Sequence, residues 1–285
     1  MFGAIVGDIA GSIYEWNNIK TKEFELFQKN CFFTDDSVMT VATADALMRG
    51  GRPDDFIDAY KEWGRRFPDV GYGERFLGWV LKEDRGPNHS WGNGSAMRVS
   101  PCAFWGRADY DFTDPELFRS ARTLAERSAR TTHDHPEGIK GALAITDAIL
   151  IARSERNRLG VDFNQESNTL LLAECKEKIR RHTIAEYGYN LSRSLEEIRP
   201  TYQFNGSCQG TVPPAMEAAL ESCGFEDALR NAISLGGDSD TLAAISCSLA
   251  EALYGIPEAI KQTARSFLDP ALLKVLERWE HCVKE

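Results

Sequence analysis

The sequence predicts an all-helical protein of one domain, and three observations carry that prediction. Sustained alternation of apolar and polar residues, the mark of a half-buried strand, is nearly absent, so strands are few or missing. Alanine- and leucine-rich runs with apolar residues at helical spacing recur along the chain, separated by glycine-rich turns. A length of 285 residues suits one large domain, residues 1–285, with a substantial core.

Taken in order, Met1 to Glu15 carries Gly3, Gly7 and Gly11 at strict i+4 spacing among Phe2, Ile5, Val6 and Ile9. This reads as a buried first helix with a small-residue seam where another backbone can approach. Asp8 on that apolar segment is costly unless hydrogen-bonded, so it is expected to support a polar site nearby. Residues 16–33 are mixed, and Cys31-Phe32-Phe33 leads into Thr34-Asp35-Asp36-Ser37. A helix from Val38 to Met48 follows and stops at Gly50-Gly51. Pro53 to Phe67 is amphipathic, with Phe56, Ile57, Tyr60, Trp63 and Phe67 on one face. Gly71-Tyr72-Gly73 is a turn, and another helix runs through Phe76 to Leu81. Residues 86–95 form a loop, and Ala96-Met97-Arg98 opens the next element. Helices are expected over 115–130, 137–153, 167–187, 213–223 and 225–234. From Ser154 to Ile198 the chain is more charged, as in a peripheral helical layer or an insertion. Leu242 to Tyr254 is the last helix expected, ended by Gly255.

Composition excludes several classes. Hydrophobic content of 42% and charged content of 27% are ordinary for a globular protein. A formal charge of −10 and no long Lys/Arg run argue against a nucleic-acid groove. Seven scattered cysteines without a C-x-x-C pair fit a reducing compartment and read as core residues. The start lacks the basic residues of a signal peptide, and no uncharged apolar run reaches spanning length. A soluble, cytoplasmic chain is the expectation.

The chemistry concentrates in Ser234-Leu235-Gly236-Gly237-Asp238-Ser239-Asp240-Thr241. Two glycines allow a sharp turn, and two carboxylates and a threonine hydroxyl follow at the start of a helix. One carboxylate would suffice as an N-cap; the pair exceeds that need. Thr34-Asp35-Asp36 repeats the arrangement far upstream. Two such corners, brought together, can hold hard cations, and an all-oxygen donor set selects Mg²⁺ or Mn²⁺, or Ca²⁺, over Zn²⁺. Asn88 to Arg98 offers small residues and backbone amides as a generic phosphate cradle. His133 in Thr132-His133-Asp134-His135-Pro136 suits a hydrogen-bond donor to a ligand, and a histidine here also suits capping of a helix at Pro136.

Five motifs occur in a fixed order: Ile5 to Glu15, Thr34 to Ser37, Gly92 to Arg98, Thr132-His133, and Leu235 to Thr241. Together they resemble the ADP-ribosylglycohydrolase family from residue 2 to about residue 256. The resemblance implies a compact all-α, multi-helix orthogonal bundle with a binuclear Mg²⁺ or Mn²⁺ centre in its middle. Thr34, Asp35, Asp36, Asp238, Asp240 and Thr241 would be the metal ligands. The Ser12–Glu15 ending is most similar to the serine-linkage branch, where the glutamate belongs to a flap over the metals. Glu15, Asp36 and Asp240 are the catalytic residues this implies. Gly71, Tyr72 and Gly73 resemble a substrate-contacting turn, and Ser90, Trp91, Gly92, Asn93 and His133 would line the ADP-ribose pocket. The substrate implied is an ADP-ribosylated protein or a small ADP-ribosyl compound. Trp91 stands where tyrosine is common, and Phe204 to Gly210 departs from the family's pattern.

Overall fold

Backbone hydrogen bonding runs within helices, as the scarcity of alternating segments predicts. The computed structural model describes residues 1–106 and 114–283, and no strand occurs among them. In chain order the helices are α1 (Phe2–Gly11), α2 (Asp35–Arg49), α3 (Pro53–Arg66), α4 (Glu74–Leu81), α5 (Gly94–Met97), α6 (Ser100–Phe104), α7 (Pro115–Arg130) and α8 (Pro136–Leu159). Then come α9 (Thr169–Tyr187), α10 (Leu195–Ile198), α11 (Cys208–Leu220), α12 (Phe225–Ile233), α13 (Ser239–Tyr254), α14 (Glu258–Arg265) and α15 (Pro270–Cys282). A 3₁₀ turn, Ser12–Tyr14, extends α1.

The centre is the pair α1 and α13, the most extensive helix contact in the molecule. Every residue of α1 is buried. Its three glycines face α13 so closely that a β-carbon on Gly3 would lie 2.2 Å from the Cys247 carbonyl oxygen. On Gly7 it would lie 2.2 Å from the Ala243 oxygen, and on Gly11 2.6 Å from the Asp240 Cα. The predicted seam is therefore real, and α13 is what it meets. Helices α2, α8, α11 and α12 surround this pair.

Local chemistry sets the helix ends. Thr34 caps α2, its side chain accepting from the Asp36 amide, and Gly50 closes it at φ 134°. His135 caps α8 by accepting from the Glu137 amide, the capping role foreseen at Pro136. That helix continues past the expected residue 153 to Leu159 and ends at left-handed Gly160. The start of α11 differs more. Pro213 and Pro214 read as a helix start, yet Ser207 is the N-cap and both prolines lie inside the helix. Proline supplies no amide donor to the preceding turn. The Gly210 carbonyl, which Pro214 leaves without an amide donor, accepts from the Tyr202 hydroxyl at 3.0 Å. Helices α10, α14 and α15 were not expected, although Leu272, Val275, Leu276 and Trp279 form a buried helical stripe. The cysteines need one correction: five are buried, but Cys223 and Cys282 are exposed, one in the turn after α11 and one in the last turn of α15.

The seam makes a stability prediction. Gly7→Ala should cost about 3 kcal/mol or more in chemical denaturation, because the new methyl meets backbone that cannot rotate away. Gly78→Ala in α4, where a β-carbon meets nothing within 4 Å, should instead stabilise by roughly 0.5–1 kcal/mol. Equal effects at the two positions would show that α1 and α13 do not pack this closely.

Candidate active site where two acidic corners meet

Asp8 is placed by the glycine seam at the start of α2. Its carboxylate accepts from the Thr34 amide at 2.9 Å, the Thr34 hydroxyl at 2.6 Å and the Ser37 amide at 3.0 Å. This fully buried acid thus holds the first corner from below, the supporting role expected for it. The Asp35 amide donates to the Val70 carbonyl at 2.9 Å, tying the corner to the Gly71–Gly73 turn.

The second corner turns on two left-handed glycines, Gly236 at φ 69° and Gly237 at φ 72°. A β-carbon on Gly237 would stand 2.9 Å from the Tyr202 ring. Asn18 clamps this turn from both sides: its side chain accepts from the Gly237 amide at 2.7 Å and donates to the Gly237 carbonyl at 3.0 Å. Asp238 stands at the N-cap of α13 without making a capping bond. It accepts instead from the Asn93 side chain at 2.7 Å.

The corners, 205 residues apart in sequence, meet directly: the Thr241 hydroxyl donates to Asp36 at 3.1 Å. Two groups of carboxylates result, Asp8 with Asp36 and Asp240, and Glu15 with Asp238 and Asp240, each with oxygens within 4.8 Å of one another. Glu15 is half-buried and Asp36 and Asp240 are buried. Asp35 stands outside both groups, beside Gly71, whose β-carbon position lies 3.4 Å from its Oδ1.

Of the other predicted residues, Tyr72 is buried and Gly73 caps α4. The loop before α5 is pinned to the segment before α11. The Asn93 amide donates to the Gly206 carbonyl at 2.9 Å, and the Cys208 amide donates to the Trp91 carbonyl at 3.0 Å. Ser90 accepts from the Gly92 amide at 3.1 Å. Trp91 is exposed, with its ring edge-on to His135 and Arg75 above it at 5.7 Å. His133 is buried against this loop, its Nε2 3.2 Å from the β-carbon position of Gly94. Beside Glu15, the exposed Trp16 ring stacks on Phe204 at 5.7 Å and 17°. Asn18, Lys20 and Tyr202, which brace the second corner, carried no signal in the sequence. They are single polar residues in irregular segments, and only the tertiary arrangement gives them a role.

Crowding buried acids together resists their ionisation. Burial pushes Asp8 up to about 6. Burial, reinforced by neighbouring carboxylates, holds Asp35, Asp36 and Asp240 well above the usual range, and burial raises Asp238. Glu15 rises to about 7, first through burial and then through the charge of Asp238. Among the described residues no lysine or arginine forms an ion pair with any of them. The Asp36 Oδ1 is buried with no hydrogen-bond partner. An oxygen-only donor set with an orphaned carboxylate oxygen and uncompensated charge fits a hard divalent cation.

The comparisons agree with this architecture. The family model for ADP-ribosylglycohydrolase matches residues 1–281. ADP-ribosylhydrolase ARH3 of Xenopus tropicalis is 24% identical over 94% of this chain and 91% of that protein. ADP-ribosylarginine hydrolase Tri1 of Pseudomonas putida (strain GB-1) is 27% identical over 82% of this chain and 63% of that protein. A solved chain from an ADP-ribosylglycohydrolase-related protein complex superposes with a TM-score of 0.64 at 24% identity, covering 98% of this chain and 95% of the other. With a family model running across nearly its whole length, the chain belongs to the ADP-ribosylglycohydrolase family.

Proposed function

We propose that this protein hydrolyses the glycosidic bond between ADP-ribose and a modified acceptor, with a serine-type protein linkage favoured. One observation carries the reading: the Thr241–Asp36 bond joins the two corners around an unpartnered carboxylate oxygen, and Asp240 is common to this carboxylate group and to the one that holds the half-buried Glu15. Thr34, Asp35, Asp36, Asp238, Asp240 and Thr241 are the residues that would hold two Mg²⁺ or Mn²⁺ ions. Bound there, the ions would supply Lewis acidity towards the sugar hydroxyls and an attacking water.

The chain's own groups divide the remaining work. Asp36 and Asp240 orient the water. Glu15, which keeps its proton to about 7, is placed to give it to the departing acceptor. A general acid of this kind contributes roughly 10²–10⁴-fold. Asp8 touches no substrate in this scheme; it holds the first corner, as the Asn93 side chain holds Asp238. Gly71, Tyr72, Gly73, Ser90, Trp91, Gly92, Asn93 and His133 form the substrate wall. The Ser12–Glu15 segment supports the serine linkage. The similarity to Tri1, by name an arginine-type hydrolase, supports an arginine-linked acceptor as the second reading.

Release of free ADP-ribose from matched serine-, arginine- and threonine-linked peptides, with Mg²⁺, Mn²⁺ or EDTA, tests this directly. Metal-dependent release from the serine peptide is expected, and no release from any peptide would overturn the activity. Asp36→Asn and Asp240→Asn should each cut turnover at least ~10²-fold while circular dichroism shows a folded chain. Glu15→Gln should lower turnover by roughly 10²–10⁴-fold with ADP-ribose affinity kept within a few-fold.

The raised carboxyls also set a pH dependence. Each binds its proton more tightly in the folded chain than in the unfolded one, so the native state holds more protons above about pH 4. Metal-free protein should therefore lose stability as pH rises from about 4 through about 7. Added Mn²⁺ should raise the Tm more at the upper end of that window than at the lower. A metal-free Tm that climbs across it would contradict the buried acidic cluster.

A further inference from the structure

Arg98 is an arginine at 1% exposure that makes no ion pair among the described residues. Burying a guanidinium without a carboxylate is expensive, so its contacts call for a reason. Its plane lies over the Tyr60 ring at 4.1 Å. Its Nη2 donates to the Ser128 carbonyl at 3.0 Å and to the Thr132 hydroxyl oxygen at 2.7 Å. The same Thr132 oxygen lies 2.7 Å from His133 Nδ1.

The proton positions along this chain follow by elimination. A threonine hydroxyl has one proton to give. Thr132 is fully buried, its oxygen already accepts from Arg98, and His133 Nδ1 is the one acceptor within reach. Were Nδ1 to carry the hydrogen, the Thr132 proton would have nowhere to go, at the cost of an unsatisfied buried donor. Thr132 therefore donates, Nδ1 accepts, and the ring hydrogen sits on Nε2. That nitrogen meets no protein acceptor among the described residues. It lies 3.6 Å and 3.2 Å from the β-carbon positions of Gly92 and Gly94, on the wall assigned to substrate. Burial and the nearby Arg98 charge both disfavour a second proton on the ring, which stays neutral.

We propose that Arg98 and Thr132 are positioning residues that lock His133 as an Nε2–H donor, aimed at a phosphate oxygen of the ADP-ribosyl group. The tautomer relay stands on the geometry alone; the identity of the acceptor rests on the function proposed above. The buried cation behind the relay makes the chain directional. Each donor polarises the next, so the outermost N–H is a stronger partner for an anion than an isolated imidazole. No carboxylate forms an ion pair with Arg98 among the described residues, and the charge of Asp35 acts on it only after burial, Tyr60 and Cys102. The glycines at 92 and 94 keep side chains out of the space the ring faces.

Two measurements test the relay and its target separately. Heteronuclear NMR of the histidine ring nitrogens in ligand-free, nitrogen-labelled protein should show His133 with an unprotonated Nδ1 and a hydrogen on Nε2. The opposite tautomer in the wild-type chain would overturn the proposal without any variant being needed. Thr132→Val should release the tautomer to a mixture, and Thr132→Ser should restore it. By calorimetry Thr132→Val should bind ADP-ribose about tenfold more weakly, while adenosine binding stays unchanged. Equal losses for both ligands would overturn the phosphate contact, and an unchanged tautomer in Thr132→Val would overturn the relay. A wild-type chain with the expected tautomer but no affinity for ADP-ribose would sink the functional reading and the phosphate contact together, and leave the relay standing.

Discussion

The near contact of two helix backbones is the constraint on which the rest depends. Three glycines bring α1 against α13 until no β-carbon fits between them. That approach carries Asp8 to the start of α2 and Glu15 to the start of α13, so a single packing decision delivers acids to both corners. Van der Waals packing at such a seam is sensitive to one methyl group, because interiors have no slack to absorb it. Had the seam been alanine, the helices would stand farther apart and the carboxylates would no longer converge.

Convergence sets fold against function. Packing the carboxyl groups of Asp8, Glu15, Asp36, Asp238 and Asp240 together, with no ion pair to a lysine or arginine among the described residues, opposes folding at neutral pH. The structure offsets this with fixed donors rather than with charge. Thr34 and Ser37 serve Asp8, Asn93 serves Asp238, Thr241 serves Asp36, and the Thr241 amide serves Asp240 at 2.9 Å. The donors orient Asp8, Asp36, Asp238 and Asp240 and leave the Asp36 Oδ1 over. A cation held among these carboxylates, as proposed above, would relieve their repulsion, and the protein's stability and its chemistry would then share a cause.

Much of this was legible in the sequence. Helices with an amphipathic stripe and a capping residue, such as α3 and α7, declare themselves through spacing and local chemistry. Both acidic corners were visible because glycine, aspartate and threonine at helix starts have few other uses together. The Asp8 role followed from the cost of burying an acid. Other features were hidden for physical reasons. The α11 start was masked by Pro213 and Pro214, and the carbonyl that Pro214 frees is met by a hydroxyl from Tyr202. Asn18 clamps Gly237 across 219 positions, and a lone asparagine in an irregular segment carries no trace of such a partner. The pinning of the Trp91–Asn93 loop to Gly206 and Cys208 is likewise a long-range backbone pairing without side-chain signature.

The Trp16–Phe204 stack joins the segment that carries Glu15 to the loop that precedes α11. Neither segment can draw back from the other without parting the rings. Under the function proposed above, room beside Glu15 for a bulkier acceptor would require both segments to move. Divergence of this chain towards a new acceptor would therefore proceed through paired changes, with residues near 16 and near 204 altering together.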